Sequence, residues 1–299
     1  MDTHISALPC ADDYLIAPFY SQLSGQFSYV LSEPSTKEAA VIDCSAEYNP
    51  LTGEITYKHA ENIIRYLQSR ELHLSWILES QLHTGYFSAA GYLRHRCGGN
   101  LAISAKITEI VASLQPLLPL YARHKNPYPY FDTLLEESDR IKLGANTIEI
   151  IETPGHNISA LCFRTGDYIF TGNTLLLPDR GTGDVNSLFS NPQQLFTSIA
   201  KLLARPGDVN VLVGRDWPSN NRALEYQSTL DEQRRKNIDV AGIDRDTFVK
   251  NKLKAKPHNL CPYWPAVQWN LHAGSWPAGQ HFFNVPIYNS CNTRAVLEH

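Results

Sequence analysis

Apolar positions along this chain alternate between short runs and a helical period. Residues 27–31 and 39–42 are short apolar runs of strand character. They are joined by Glu33-Pro34-Ser35-Thr36-Lys37, whose turn formers predict a hairpin connection. Residues 58–70 place Ala60, Ile63, Ile64 and Leu67 at helical spacing. A compact apolar run at 74–78 predicts a buried strand. It enters a polar loop at 79–85, followed by a helix to about residue 96. Cys97-Gly98-Gly99-Asn100 ends that helix, and 101–104 is the next strand. The second half repeats the style. Residues 147–151 form a strand that ends in the tight loop Thr153-Pro154-Gly155-His156, and 161–163 pairs with 168–170 about Thr165-Gly166-Asp167. Asn191-Pro192 places a side-chain acceptor and a proline at the start of a helix that runs to about residue 204. Residues 209–213 predict a strand, with a loop from Gly214. Helical patterns follow at 223–237 and 244–252, and the tail at 257–289, rich in Pro, Trp and Asn, has no clear period.

Strands that alternate with helices, with hairpins between, predict an α/β protein: a mixed sheet or two sheets covered by helices. Polar, glycine-bearing loops follow at least four strands, and sites in α/β folds gather at such ends. There is no internal repeat and no low-complexity segment.

Composition narrows the function classes. With 43% hydrophobic and 19% charged residues, the chain has the makings of a soluble globular protein with a sizeable core. A formal net charge of −4 gives no reason to expect nucleic acid or an anionic membrane as partner. The short run Arg234-Arg235-Lys236 lies in a helical pattern and reads as a solvated face. No apolar stretch reaches the ~18 residues of a membrane span, and the start of the chain lacks a signal pattern. The six cysteines are scattered without a C-x-x-C, which predicts free thiols and a cytoplasmic protein. Leu297-Glu298-His299 resembles the start of an expression tag.

Four loops carry a resemblance. The stretch from Trp76 to Ala90, with Gln81, His83, Gly85 and Tyr86, is similar to the strand-loop-helix that bears T-H-x-H-x-D-H in metallo-β-lactamase-fold proteins. Thr153-Pro154-Gly155-His156-Asn157 resembles T-P-G-H-T, Thr171-Gly172-Asn173 resembles T-G-D, and Gly214-Arg215-Asp216-Trp217 resembles G-H-D-Y. Three further segments resemble the persulfide dioxygenase branch, which is related to glyoxalase II. They are Pro178-Asp179-Arg180-Gly181-Thr182, the stretch from Ser228 to Asn237, and the stretch from Gln268 to Pro277. The match runs from about Pro18 to Ile287, in order and with consistent spacing. The fold it implies is an αββα sandwich, two mixed β-sheets flanked by helices. The division it implies is an N-terminal segment at 1–17, a core at 18–222, a helical and aromatic-rich extension at 223–296 packed on that core, and the tag remnant at 297–299.

The resemblance also implies a metal centre, and here the chain departs from the family. A first metal takes both histidines of H-x-H and that of T-P-G-H. A second takes the D-H pair and the histidine of G-H-D, and the T-G-D aspartate bridges the two. Persulfide dioxygenases keep one iron on the first histidine, the T-P-G-H histidine and the aspartate. Carried over residue by residue, those iron positions are Gln81, His156 and Asn173: one imidazole and two neutral amides, which are weaker ligands for iron or zinc. Transition-metal sites bind with roughly 10–16 kcal/mol, and poor donors at two of three positions remove much of it. The second-metal positions are Gly85, Tyr86 and Arg215; glycine offers no side chain, and a permanent cation does not ligate. A remnant site would rest on His83 and His156, with Gln81 and Asn173 as weak help.

The expectation is therefore a metal-poor pseudoenzyme that binds or regulates and needs no cofactor. Its pocket would be lined by Gln81, His83, Tyr86, His156, Asn173, Arg215 and Asp216. Arg215 and Tyr86 would face a small anionic or thiol-derived ligand. The alternative is an active enzyme with a single weakly bound iron or zinc, of persulfide dioxygenase or thioester-hydrolase type. Asn173 also has a plain reading as a loop-holding residue, and Asp216 as the partner of backbone or of a nearby arginine. The aromatic tail (Tyr263, Trp264, Trp269, Trp276, Phe282, Phe283) reads as a packing layer or the surface of a homodimer.

Overall fold

The protein is represented by a computed structural model that describes residues 8–9, 14–49, 51–114, 130–187, 189–218, 222–254 and 264–275. In chain order the first half comprises β1 (Leu8–Pro9), β2 (Leu15–Ser21), β3 (Gln26–Ser32), β4 (Glu38–Ile42), β5 (Ser45–Tyr48), β6 (Ile55–Thr56), α1 (Lys58–Ser69), β7 (His73–Leu78), β8 (Phe87–Ser88), α2 (Ala90–Cys97), β9 (Asn100–Ser104) and α3 (Ile107–Leu114). There follow β10 (Thr133–Leu135), β11 (Arg140–Leu143), β12 (Asn146–Glu152), β13 (Leu161–Thr165), β14 (Tyr168–Gly172), α4 (Pro192–Leu203), β15 (Asn210–Val213), β16 (Gln227–Thr229), α5 (Leu230–Lys236), α6 (Arg245–Lys254) and α7 (Trp264–Leu271).

Two large sheets form. One has seven strands in the order β1-β2-β3-β4-β7-β9-β10, and the other has six in the order β11 to β16; β6, β5 and β8 make a small third sheet. Side chains alternate across a strand, so neighbours serve different layers. Val30 and Val41 join Ile63, Ile64 and Leu67 of α1, Leu93 of α2 and Ile110 of α3 on the outer face of the seven-stranded sheet. Tyr29, Leu31 and Ile42 instead meet Ile148, Ile150, Phe163 and Phe170 between the two large sheets. Ile151, Val211 and Val213 face Leu195 and Ile199 of α4, Leu230 of α5 and Phe248 of α6. This is the helix–sheet–sheet–helix order that the resemblance implies. Because both faces of the central strands are covered, they read as unbroken apolar runs. Burying each large apolar side chain is worth about 1.5–3 kcal/mol.

The helix predicted at 223–237 is a correction. Residues 227–229 are β16, paired antiparallel to β15, and the helix begins only at Leu230. Thr229 is its N-cap and accepts from Glu232 N at 3.2 Å, which fixes the start. A boundary after 222 therefore separates β16 from the strand it pairs with, since the six-stranded sheet ends on that strand. Sequence reading passed over β2, the short strands β1, β5, β6, β8, β10 and β11, and helix α3, and helix α7 forms where no period is visible. Of the aromatic tail only the Trp269 side chain is described; residues 1–7 and 276–299, with the tag segment, lie outside the described residues. Cys44, Cys97 and Cys162 are free thiols. No described helix is long and apolar enough to cross a membrane.

Strands β4, β7 and β9 run parallel, and so do β14 and β15. The C-terminal ends of β4, β7, β14 and β15 release the loops that begin at Asp43, Glu79, Asn173 and Gly214.

Candidate functional site

The loop after β7 is built around a buried carboxylate. Asp43 follows β4 directly, in the left-handed region at φ 54°, which Asp tolerates better than most residues. From there its oxygens accept from Ser80 N and Ser80 Oγ, each at 2.7 Å, and from His83 Nε2 at 3.0 Å. With Nε2 donating to Asp43, His83 Nδ1 is left as the acceptor; Gln81 Nε2 lies 3.3 Å from it. Glu79 stands on the other side, with Oε2 3.5 Å from His83 Nε2 and Oε1 accepting from Ser88 Oγ at 2.6 Å. Burial first, then the neighbouring Asp43, push the Glu79 carboxyl well above the usual carboxylate range and toward its neutral form. Close packing fixes the entry to the loop: a Cβ on Gly172, at φ 49°, would stand 2.6 Å from Ser80 Oγ.

Helix α7 holds this loop from behind. Asn270 Nδ2 donates to the carbonyls of His83 and Tyr86, both at 2.8 Å, and Asn270 Oδ1 accepts from Ser88 N at 2.7 Å. Trp269 Nε1 donates to Ser88 O at 2.6 Å. On the facing side, His156 Nδ1 donates to Asp184 O at 2.7 Å, which turns Nε2 into the acceptor. Burial lowers the His156 pKa and favours the neutral ring.

The fourth loop supplies a cation. Backbone bonds clasp it to the β2–β3 hairpin: Phe27 N to Gly214 O at 2.8 Å and Asp216 N to Gly25 O at 3.0 Å. The Arg215 guanidinium carbon lies 4.2 Å from the Trp217 ring centroid, a cation–π stack. Its Nη1 and Nη2 lie 3.8 and 3.9 Å from where a Cβ on Gly85 would stand. Burial brings the guanidinium down to about 10, so it remains charged at neutral pH.

Gln81, His83, Gly85, Tyr86, His156, Asn173 and Arg215 line one cavity of about 20 Å³, together with Thr84, Asp184 and Ser187. Asp216 does not line it. Its carboxylate accepts from Arg222 Nη1 at 3.0 Å and Nη2 at 2.6 Å, and Arg180 Nε lies 3.7 Å away. This is the arginine-paired role that the sequence left open for it. Sequence reasoning missed Asp43, Asp184 and the Asn270 clamp. The signal for Asp43 was a lone carboxylate at the end of an apolar strand.

The lining residues do not fit the divalent centre that the resemblance implies. The donors facing the cavity are two imidazoles and two amides. The one lining carboxylate, Asp184, has its Oδ1 3.7 Å from the His156 ring, and a guanidinium stands beside the second-metal positions. Among the described residues, one His/Asp/Glu group has ligand atoms close enough for a metal: Asp43, Glu79 and His83, all buried and within 4.8 Å of one another. Its members already bond to Ser80, Ser88 and each other.

No protein-family model matches the chain. A β-lactamase hydrolase-like protein of Agrobacterium fabrum is 29% identical over 280 residues, covering 91% of this chain and 64% of its own length. This chain thus spans just under two thirds of that relative. A probable metallo-hydrolase of Burkholderia pseudomallei is 28% identical over 286 residues, 90% of this chain and 97% of its own. Among solved structures, ETHE1 from Myxococcus xanthus superposes with a TM-score of 0.71 at 20% identity, over 87% of this chain and 99% of that one. At that identity the likeness speaks to the fold.

Proposed function

We propose that this chain is a metal-poor member of the metallo-β-lactamase-fold superfamily whose pocket binds a small anionic or thiol-derived molecule instead of turning one over. One observation carries the reading: the Arg215 guanidinium lies beside Gly85, where the family pattern has an acidic ligand of the second metal. Substitution at both positions is complementary. Loss of the acidic side chain opens space, and the cation enters it. A fixed positive charge in a partly dehydrated pocket attracts carboxylates and thiolates, while it repels a divalent ion. Gln81 and Asn173, neutral amides at two iron positions, work in the same direction.

A second reading keeps a single iron or zinc and a persulfide dioxygenase or thioester-hydrolase activity. The acceptor nitrogens of His83 and His156, both lining the cavity, and the buried Asp43–Glu79–His83 group favour it.

Elemental analysis of protein purified without chelator separates the two, beside a variant carrying Gln81→His and Asn173→Asp. The metal-poor reading expects an empty wild type and a variant that gains metal. Near-stoichiometric iron or zinc in the wild type refutes it and calls for assays of persulfide oxidation and thioester hydrolysis.

A further inference from the structure

Three polar atoms in the cavity are left without partners. Tyr86 Oη, Asn173 Oδ1 and Arg215 Nε are buried and have no hydrogen-bond partner among the described residues, and all three residues line the same space. The Tyr86 and Asn173 residues are 4% and 6% exposed, so bulk water does not satisfy them. Native proteins rarely leave buried polar atoms unpaired, and each one left so costs its full desolvation. Three around one cavity mark a place for a polar guest. At about 20 Å³ the cavity holds one water-sized group.

Charge selects among guests of that size. Three carboxylates belong to the loops of the site, and Asp184 is the one whose charge acts on the guanidinium. Asp43 is engaged by Ser80 and His83, and Glu79 accepts from Ser88 Oγ at 2.6 Å. The Asp184 carboxylate, 40% exposed, stands 3.7 Å from the His156 ring. Among the described residues no hydrogen bond or ion pair joins any of the three to Arg215; the Asp184 charge acts on the guanidinium without a direct contact. Tyr86 offers a hydroxyl hydrogen. The Asn173 amide exchanges its oxygen and nitrogen by a half-turn, so it can present N–H to an acceptor.

We infer that this cavity is a binding site for a single monovalent anion of halide size, held by the Arg215 guanidinium, the Tyr86 hydroxyl and the Asn173 amide. The inference rests on the metal-poor reading of the pocket and narrows its ligand. Acetate and sulfate exceed the space available. The guanidinium is positioned for the anion beforehand by its stack on Trp217, so little ordering remains to be done on binding.

The test uses the full chain exchanged into gluconate buffer and titrated with bromide or chloride at constant ionic strength. The unfolding midpoint is expected to rise saturably, by about 2–4 °C at tenfold the dissociation constant. Acetate and sulfate are expected to give no saturable rise. Bromide-soaked crystals are expected to show one anomalous peak in contact with Arg215 and Tyr86. Arg215→Lys and Tyr86→Phe, which keep charge or ring and so preserve packing, are each expected to weaken bromide at least tenfold. A flat midpoint with no bromide peak in the cavity means that water fills it, and overturns the inference. An Arg215-dependent response to acetate without one to bromide overturns it too, yet leaves the anion-binding reading standing. Stoichiometric iron or zinc in the same preparation removes the reading beneath it.

Discussion

Asp43 Oδ1 accepts from His83 Nε2 at 3.0 Å across 40 positions of sequence, and this bond decides which ring nitrogen looks into the cavity. Asp43→Asn would set an amide against donors already aimed at the carboxylate. The expected cost is about 1.5–3 kcal/mol in urea unfolding, the range for hydrogen bonds to charged groups. His83 is expected to change from one Nε2–H tautomer to a mixture, read by nitrogen chemical shifts of the imidazole. A ring that keeps its tautomer in the variant would show that another group holds it.

Gly85 and Gly172 separate space from strain. A Cβ at Gly85 meets only the guanidinium, at ordinary contact distance, and its φ is not in the left-handed region. Gly85→Ala should leave stability unchanged or raise it by about 0.4–1 kcal/mol, through the less flexible unfolded chain. Gly172 combines φ 49° with a Cβ position 2.6 Å from Ser80 Oγ. Gly172→Ala should cost more than about 1 kcal/mol and loosen the Ser80–Asp43 bonds. Equal effects of the two substitutions in parallel melts would contradict this account.

Glu79 makes stability depend on pH in a definite direction. Its folded pKa lies above the unfolded value of 4.5, raised by burial and then by Asp43. The folded state therefore binds the proton more tightly, and the stability this group contributes is fully present below pH 4.5. It is lost as pH rises through the folded value. Glu79→Gln, which keeps an acceptor for Ser88, should gain stability relative to wild type as pH rises from 4.5 toward 8. Parallel denaturation curves with a constant difference across that range would contradict the assignment.

Asn270 binds the loop of the site to α7 through three hydrogen bonds of 2.7–2.8 Å. Asn270→Ala strands two carbonyls and one N–H in a buried place, at about 1–3 kcal/mol each before relaxation. A loss of about 2–4 kcal/mol is expected, with hydrogen exchange rising most at 83–88. Uniform exchange across the domain would mean that the helix does not specifically hold this loop.

Much of the site was legible because its loops are local in sequence. Gln81, His83 and Tyr86 stand within six positions and arrive in the cavity together. His156, Asn173 and Arg215 each follow a strand whose end the apolar run already marks. The lone carboxylate after an apolar strand marked Asp43, but its partner was not legible, because nothing near it in sequence reveals that β4 and β7 lie side by side. Asp216 looked like part of the pocket by its place next to Arg215, but adjacent side chains at a strand end point to opposite sides. It turns to Arg222 and Arg180, which no spacing rule connects to it.

By itself, the sequence determined the alternation of strands and helices, the loops at the strand ends, and the amides, glycine and cation that stand where the resemblance implies metal ligands. These are properties of single residues and of local period. Only the tertiary structure decided that Arg215 enters the space beside Gly85, that Asp43 orients His83, and that three polar atoms meet unpaired in one small cavity. Those relations join residues 40 to 130 positions apart. They follow from how two sheets pack and not from any local preference.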